Sequence, residues 1–405
     1  MNLRRSTIFA ALVLALGCAV PLAAQLGLPG ALPGLGDLTN PVAGLLGRPL
    51  PEVGTVLRTA RLDRIEALLH DNRQTLERDR DGAPARRGVL LMVDPDPATL
   101  AAVAALGLQP ATPAPIEGLD VTVSQLEVPP GMSLAQAQKL LARKVPGAVV
   151  SSDQIFFQSG GVGSGAGLPL AAAKGVVKTP LGLIDGAPAQ AVTATKGFAK
   201  GAPLTSNHGS AVAALAYAAG ARTIFVADVY GADPAGGNAL AIAQGMGWLL
   251  GRGARVISIS LVGPRSPLLE RAVAAAQARG AVIVAAVGND GPAAPSSYPA
   301  SYNGVLAITG VDKRNRPLIE AGRAAHLDYA APGADMSALD RTGRLAPVRG
   351  TSFAAPLVAV RAAAALERGV APRSIVDALD AEAVPISRRR PDPQSGRGLL
   401  CGACR

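Results

Sequence analysis

The sequence predicts an α/β protein: a mostly parallel central sheet with helices on both faces, preceded by a small α+β domain. Three observations carry this. Beyond residue 176, short apolar runs bounded by turn residues alternate with longer runs at helical spacing, the pattern of buried parallel strands joined by covering helices. Between residues 86 and 158 the elements read β-α-β-β-α-β, the split βαβ unit. Hydrophobic residues make up 49% of the 405-residue chain and charged residues 17%; that suits a large core and excludes wholesale disorder.

Residues 1–24 read as a secretory signal. Arg4 and Arg5 precede an apolar run from Ile8 to Leu16, and small residues follow through Ala24. The run is too short to span a bilayer. The chain is therefore expected to be exported, to the periplasm or the extracellular space. Gly17-Cys18 faintly resembles a lipoprotein cleavage site, so a lipid anchor on Cys18 is the alternative, and the only membrane contact expected. Residues 25–85 divide into a Leu-, Gly- and Pro-rich spacer up to residue 54 and a charged helix over 55–80 carrying Leu57, Ile65, Leu68, Leu69 and Leu76. Asp81-Gly82 ends that helix, and His70 lies on its charged surface.

Within 86–158, strands are expected at Val89–Val93, Leu108–Thr112, Val121–Val128 and Ala148–Phe157. Helices are expected at Pro97–Leu106, opened by Asp94 and Asp96, and at Ser133–Lys144, capped by Ser133. Residues 159–175 read as a Gly-rich linker. The run Gly160–Gly167 touches on a dinucleotide-binding pattern, but no helix and no spaced acidic residue follow it.

The last domain spans 176–405. Its strands are expected at Leu181–Asp185, Thr223–Val229, Val256–Leu261, Ala281–Val287, Val305–Val311 and Leu327–Ala331, and its helices at Ser210–Ala219, Asn238–Gly251, Pro267–Arg279 and Ser352–Glu367. The formal charge of +10 is not gathered into a basic run interleaved with aromatics, which are only 3% of residues, so no nucleic-acid partner is expected. A single C-x-x-C pair, Cys401 and Cys404, is a weak zinc signal and is better read as a local disulfide.

Four residues of this domain fall where an α/β sheet collects its chemistry, at strand ends and helix starts. Ser352 follows a glycine turn at the start of an apolar helix, where backbone N–H groups favour developing negative charge. A serine hydroxyl needs a base, and His208 stands at another helix start, whereas His70 and His326 lack such a setting. Asp185 closes the strand Leu181–Ile184 and can orient the imidazole; standing alone it would read as a turn aspartate. Asn289 follows Val284–Gly288 and can donate to an oxyanion, although Asn-Asp-Gly is also strong turn chemistry.

With these residues in view, the region 176–405 resembles the subtilisin-like serine peptidases, whose triad runs Asp, His, Ser along the chain. Leu183-Ile184-Asp185-Gly186 is similar to the family's aspartate motif, His208–Ala213 to its histidine motif, and Gly350–Pro356 to its serine motif. Ala286–Gly291 resembles the oxyanion segment, Ser260–Pro264 the strand that pairs with substrate, and Gly396–Leu399 the closing Gly-x-Gly-Leu. The His-Gly-Ser setting of His208 argues against the related Ser-Glu-Asp peptidases. The resemblance implies catalysis by Asp185, His208 and Ser352, an oxyanion donor in Asn289, and substrate contacts from Ser260, Leu261, Val262, Gly288, Asp290 and Ser297. It implies polypeptide substrates and no cofactor. It further implies that 86–158 is a ferredoxin-like propeptide domain, acting as folding aid and intramolecular inhibitor until the chain cuts itself between about Gln158 and Val176.

Departures from the family pattern qualify this. Gly186 and Ala187 replace the residues usual after the aspartate, which predicts looser hydrogen bonding around Asp185. Val262 and Ser297 stand where glycines are usual, predicting a preference for small or medium side chains before the scissile bond. Asp290 at the pocket rim could also favour a basic one. The calcium-binding insertion found in many members after the histidine helix is absent, so no calcium is expected there. Gly186, Ala187 and Val262 leave open a catalytically weak member retained as a binding module.

Overall fold

The computed structural model describes residues 50–163, 175–389 and 391–404. The signal segment, Cys18 and the linker residues 164–174 lie outside the described residues.

The first element is helix α1 (Leu50–Asp71). It starts inside the expected spacer and ends well before Asp81. Residues Leu76–Arg78 are not helical but form strand β1, paired antiparallel with β2 (Pro84–Val93). The cause is tertiary. Asn72 folds the chain into a turn, its carbonyl taking the N–H groups of Thr75 and Leu76, and Leu76 is then buried at 1% exposure.

The rest of the N-terminal unit follows the expected order. After β2 come α2 (Pro97–Ala104), β3 (Gln109–Pro110), β4 (Ala114–Pro115), β5 (Thr122–Glu127), α3 (Leu134–Lys144) and β6 (Val150–Gln154). β2 lies between β5 and β6, with every pairing antiparallel. The strand expected over 108–112 is cut short to β3, and β4 forms separately after it, because Pro110, Pro113 and Pro115 cannot donate to a ladder. The helix starts agree with the sequence reading: Asp96 accepts the Thr99 N–H at 2.7 Å, and Ser133 forms a capping box with Gln136. One sheet face packs on α2 and α3 through Leu90, Met92, Leu126, Leu134 and Leu141.

Two short strands follow, β7 (Phe157–Gln158) and β8 (Gly161–Val162). The expected free linker therefore begins as paired backbone. The C-terminal unit is built on seven parallel strands in the order β10-β11-β9-β12-β14-β15-β16. These are β9 (Leu181–Asp185), β10 (Ala194–Gly197), β11 (Ile224–Asp228), β12 (Val256–Ile259), β14 (Val282–Ala286), β15 (Leu306–Val311) and β16 (Tyr329–Pro332). The run expected as one strand over Val256–Leu261 breaks at Ser260, and Leu261–Val262 continue as β13, paired with β7. One sheet face carries α4 (Asn207–Ala218) and α7 (Thr351–Glu367); the other carries α5 (Ala239–Gly251) and α6 (Pro267–Ala278). Strands β17 (Met336–Leu339) and β18 (Leu345–Arg349) form a hairpin that also pairs with β8, and α8 (Ile375–Glu382) packs on α7. Cys401 and Cys404 are joined by a disulfide with Cα atoms 5.1 Å apart.

The N-terminal unit docks on the α5–α6 face. Leu91, Val93, Val121 and Val123 share one apolar cluster with Leu268, Leu269 and Ala272. Backbones meet closely there: a Cβ on Gly247 of α5 would fall 2.0 Å from the Glu117 carbonyl oxygen.

Candidate active site

Asp185 is the last residue of β9, at the sheet's carboxyl end, and is 1% exposed. Its carboxylate accepts the Gly186 N–H at 2.7 Å, Gln158 Nε2 at 3.2 Å, and faces His208 Nδ1 at 2.8 and 2.9 Å. The expected loosening around Asp185 is not seen. Gly186 supplies its backbone N–H, and the space its side chain would need holds Ser206: a Cβ on Gly186 would lie 2.4 Å from Ser206 Oγ. Ser206 in turn caps α4, accepting the Gly209 N–H at 2.9 Å. That cap sets His208 in the first helical turn.

The His208 ring is 4% exposed and rests against Phe353, with centroids 5.3 Å apart. Its Nε2 is buried without a hydrogen-bond partner among the described residues. His70 is exposed, and His326 is engaged with the Val305 carbonyl at 2.8 Å.

Ser352 is the second residue of α7, after Gly350 with φ 142°. No side chain fits at Gly350, since its Cβ would fall 2.6 Å from Gly160 Cα and 2.7 Å from Asn289 Nδ2. Pro356 inside α7 has no N–H for the carbonyl one turn earlier. That carbonyl belongs to Ser352 and instead accepts Ser260 Oγ at 3.1 Å, tying the helix start to the strand break at Ser260. Asn289 follows Gly288 after β14. Its Oδ1 accepts the Thr351 N–H at 3.1 Å, and Thr351 Oγ1 accepts the Gly288 N–H at 3.0 Å. This leaves Asn289 Nδ2 and the Ser159 carbonyl oxygen on the same side of Gly350, 2.7 and 2.8 Å from where a Cβ would stand.

The cleft so formed is filled by the chain itself. Gln158 and Phe157 pair antiparallel with Leu261 and Val262, and the Ser159 N–H donates to the Ser260 carbonyl at 3.2 Å. The Ser159 carbonyl accepts the Ser352 N–H at 3.0 Å, and the two serine hydroxyls lie 2.6 Å apart. Beyond Ser159, Gly161 and Val162 pair with Arg349 and Val348. Phe156, fully buried, lies against Gly263, and its carbonyl accepts Tyr230 OH at 2.9 Å. Val262 packs over Gly288, while the Ser297 hydroxyl bonds the carbonyls of Val287 and Arg323. Asp290 faces α1, paired with Arg61 at 3.3 Å and Arg64 at 2.9 Å. A cavity of about 1270 Å³ lies elsewhere, lined by Asp312, Arg316, Arg323 and Arg397 among others, and by none of Asp185, His208, Asn289 or Ser352.

Residues 195–382 match the model of the subtilase family, a stretch that holds His208, Asn289 and Ser352 and begins after Asp185. Over that stretch the chain is a subtilase domain. The chain is 38% identical over 141 residues to subtilisin BL of Lederbergia lenta, covering 35% of this chain and 52% of the relative. It is 33% identical over 187 residues to thermitase of Thermoactinomyces vulgaris, covering 46% and 65%. The matched part thus spans about half to two thirds of these relatives. Among solved structures, fervidolysin of Fervidobacterium pennivorans aligns with a TM-score of 0.64 at 17% identity, over 79% of this chain and 61% of that one. An epidermin leader peptide processing serine protease of Staphylococcus aureus, solved as a point mutant, aligns with a TM-score of 0.60 at 14% identity, over 78% and 98%. These likenesses show the subtilisin-like α/β fold.

Sequence reasoning missed three participants in the site. Ser159 sat in a Gly-rich stretch with no motif. Gln158 reaches Asp185 only because β7 pairs with β13. Ser206 lies outside the helix expected over 210–219, and its capping role follows from the helix beginning at Asn207. Outside those participants, Arg61 and Arg64 of α1 lie more than two hundred residues from Asp290 in sequence, so nothing local signalled their contact with it.

Proposed function

We propose that this chain is an exported serine endopeptidase, made as a self-inhibited precursor, and that it first cuts its own Ser159–Gly160 bond. The observation that carries the reading is the Ser159 carbonyl, held by the Ser352 N–H while the Ser159 N–H is held by the Ser260 carbonyl. A peptide bond so placed has its carbonyl carbon beside Ser352 Oγ.

The chemistry follows. Rotation about Ser352 χ1 turns its hydroxyl from the Ser260 carbonyl, 3.2 Å away, toward the unpartnered Nε2 of His208. Oγ attacks the Ser159 carbonyl carbon as Nε2 takes the proton. Asp185 holds Nδ1–H and stabilises the imidazolium. The oxyanion is met by the Ser352 N–H and Asn289 Nδ2. Collapse breaks the Ser159–Gly160 C–N bond, His208 returns the proton to the Gly160 amine, and water then hydrolyses the acyl-enzyme. Residues 86–158 serve as the inhibitor, with β7 left in the cleft as a bound product. Other polypeptides would add to β13 in the same way.

Ser159 itself supports the preference for small or medium residues before the cut, since it is a small residue only 1% exposed. The export signal supports a periplasmic or extracellular site of action.

The test is expression of the parent chain beside Ser352→Ala, with N-terminal sequencing of the product. The parent should yield a chain beginning at Gly160, or trimmed from it before Val176, and Ser352→Ala should remain intact. Equal processing of both chains overturns the peptidase reading. A peptide-library digest should favour Ser or Ala before the cut; a profile dominated by large aromatics would contradict the pocket assignment.

A further inference from the structure

Helix α1 lies outside the N-terminal sheet and yet touches both the cleft strand and the catalytic unit. Its buried side chains Val53, Leu57, Ile65 and Leu68 recur at helical spacing along one face. Val53 and Leu57 form a cluster with Ile319 of the C-terminal unit. Leu57 presses so closely on Gly291 that a Cβ there would fall 2.8 Å from Leu57 Cδ1, and Gly54 faces Ala293. One turn on, Arg61 and Arg64 both reach the Asp290 carboxylate. The Arg64 guanidinium also stacks 4.9 Å from the centre of the Phe157 ring. At the helix end, Leu68 joins Leu76, Ile155 and Ala235. The helix therefore spans from the loop that carries Asn289, across the strand in the cleft, to the N-terminal sheet.

We propose that α1 is a second inhibitory element, a clamp that keeps the severed N-terminal fragment on the cleft after the linker is cut. This rests on the peptidase reading above. The fragment then holds the enzyme at two places, by β7 on β13 and by α1 on the lip formed by Asp290, Gly291, Ala293 and Ile319. Two weak contacts on one fragment act together, because release of either leaves the other holding it near. Activation accordingly needs the helix to let go, and cutting Ser159–Gly160 alone leaves a latent complex. The lip is an acidic and apolar surface suited to a helix with two arginines one turn apart, and this chain supplies that helix itself.

The full-length chain tests this through Arg61→Ala with Arg64→Ala, and separately through Leu57→Ala. Two readings are taken in time: appearance of the cut fragment, and hydrolysis of a fluorogenic peptide ending in Phe-Gln-Ser. Both variants should cut the linker at the parental rate. The lag before peptide hydrolysis should shorten in both, by roughly tenfold in the arginine variant, the effect of losing two partly exposed ion pairs and a ring contact. An unchanged lag in both variants overturns the clamp. In a Ser352→Ala background, amide exchange should quicken at Gly291 and Ala294 when the arginines are replaced. Unchanged exchange there overturns the docking itself, whatever the catalysis. A parent that never cuts its linker overturns the peptidase reading and the clamp's role with it, and the exchange result then states separately whether the helix docks.

Discussion

At the residue scale, the site depends on backbone groups as much as on side chains. Asn289 Oδ1 takes the Thr351 N–H, and its Nδ2 lies beside Gly350, where the proposed mechanism has it meet the oxyanion. Replacing it with Leu should lower kcat by about 10²–10³, the range known for loss of this kind of donor in subtilisin, with a smaller change in KM. Steady-state kinetics on a peptide substrate checks this. Gly186 is held by sterics. Gly186→Ser would drive its Cβ into Ser206, which caps the helix carrying His208. Overpacking of that kind costs about 1–3 kcal/mol, so a lower Tm is expected in a Ser352→Ala background. Asp185, His208, Asn289 and Ser352 were legible because each stands in a short motif, and His208 also because the chain has only 3 histidines. Ser159 was not, since its part comes from pairing with Ser260 and not from its neighbours.

At the element scale, what the sequence encodes locally came through and what pairing creates did not. The caps at Asp96 and Ser133 need only residues three positions away. Strand β1 reads as helix, because Leu76 continues the apolar spacing of α1; only β2 makes it a strand. Strands β10, β17 and β18 carry no long apolar run, and their partners lie outside any local window. Strand β6 carries a further consequence. Asp153 is buried at the interface, one oxygen taking the Leu240 N–H at 3.0 Å and the other without a partner among the described residues. Burial pushes its pKa up to about 6 and nearby Asp233 adds to this, against the Leu240 N–H and Arg86. Once undocked, the carboxyl returns toward its ordinary value of 3.8. The docked unit thus binds the proton more tightly, so this contribution to docking is full below about pH 4 and is lost as pH rises through about 6. Thermal melting of the Ser352→Ala chain between about pH 4 and 7 should show it. Asp153→Asn should lose less stability than the parent over that interval.

At the scale of the whole molecule, two units meet over the α5–α6 face and are threaded together through the cleft. The glycines at that face separate docking from helix propensity. Gly247→Ala should stabilise an isolated helix by up to about 1 kcal/mol. Here the added Cβ would strike the Glu117 carbonyl. The expected outcome is therefore the opposite sign: the cut N-terminal fragment should leave the catalytic unit sooner, as followed by size-exclusion chromatography. The two-unit order was legible from the change of element pattern near residue 159. The docked arrangement was not, because the residues at the contact are apolar or small and carry no signature of their partner.

The strand in the cleft is also a template for a synthetic inhibitor. Phe156, Phe157, Gln158 and Ser159 give, in order, a ring fully buried beside Gly263, a ring under Arg64, an amide on Asp185 and a small residue at the nucleophile. A tetrapeptide Phe-Phe-Gln-Ser ending in an aldehyde would offer Ser352 an electrophile in place of the scissile carbonyl. Its potency should fall steeply when the first Phe becomes Ala, and little when the second does, because only the first ring has a pocket that survives once α1 is gone.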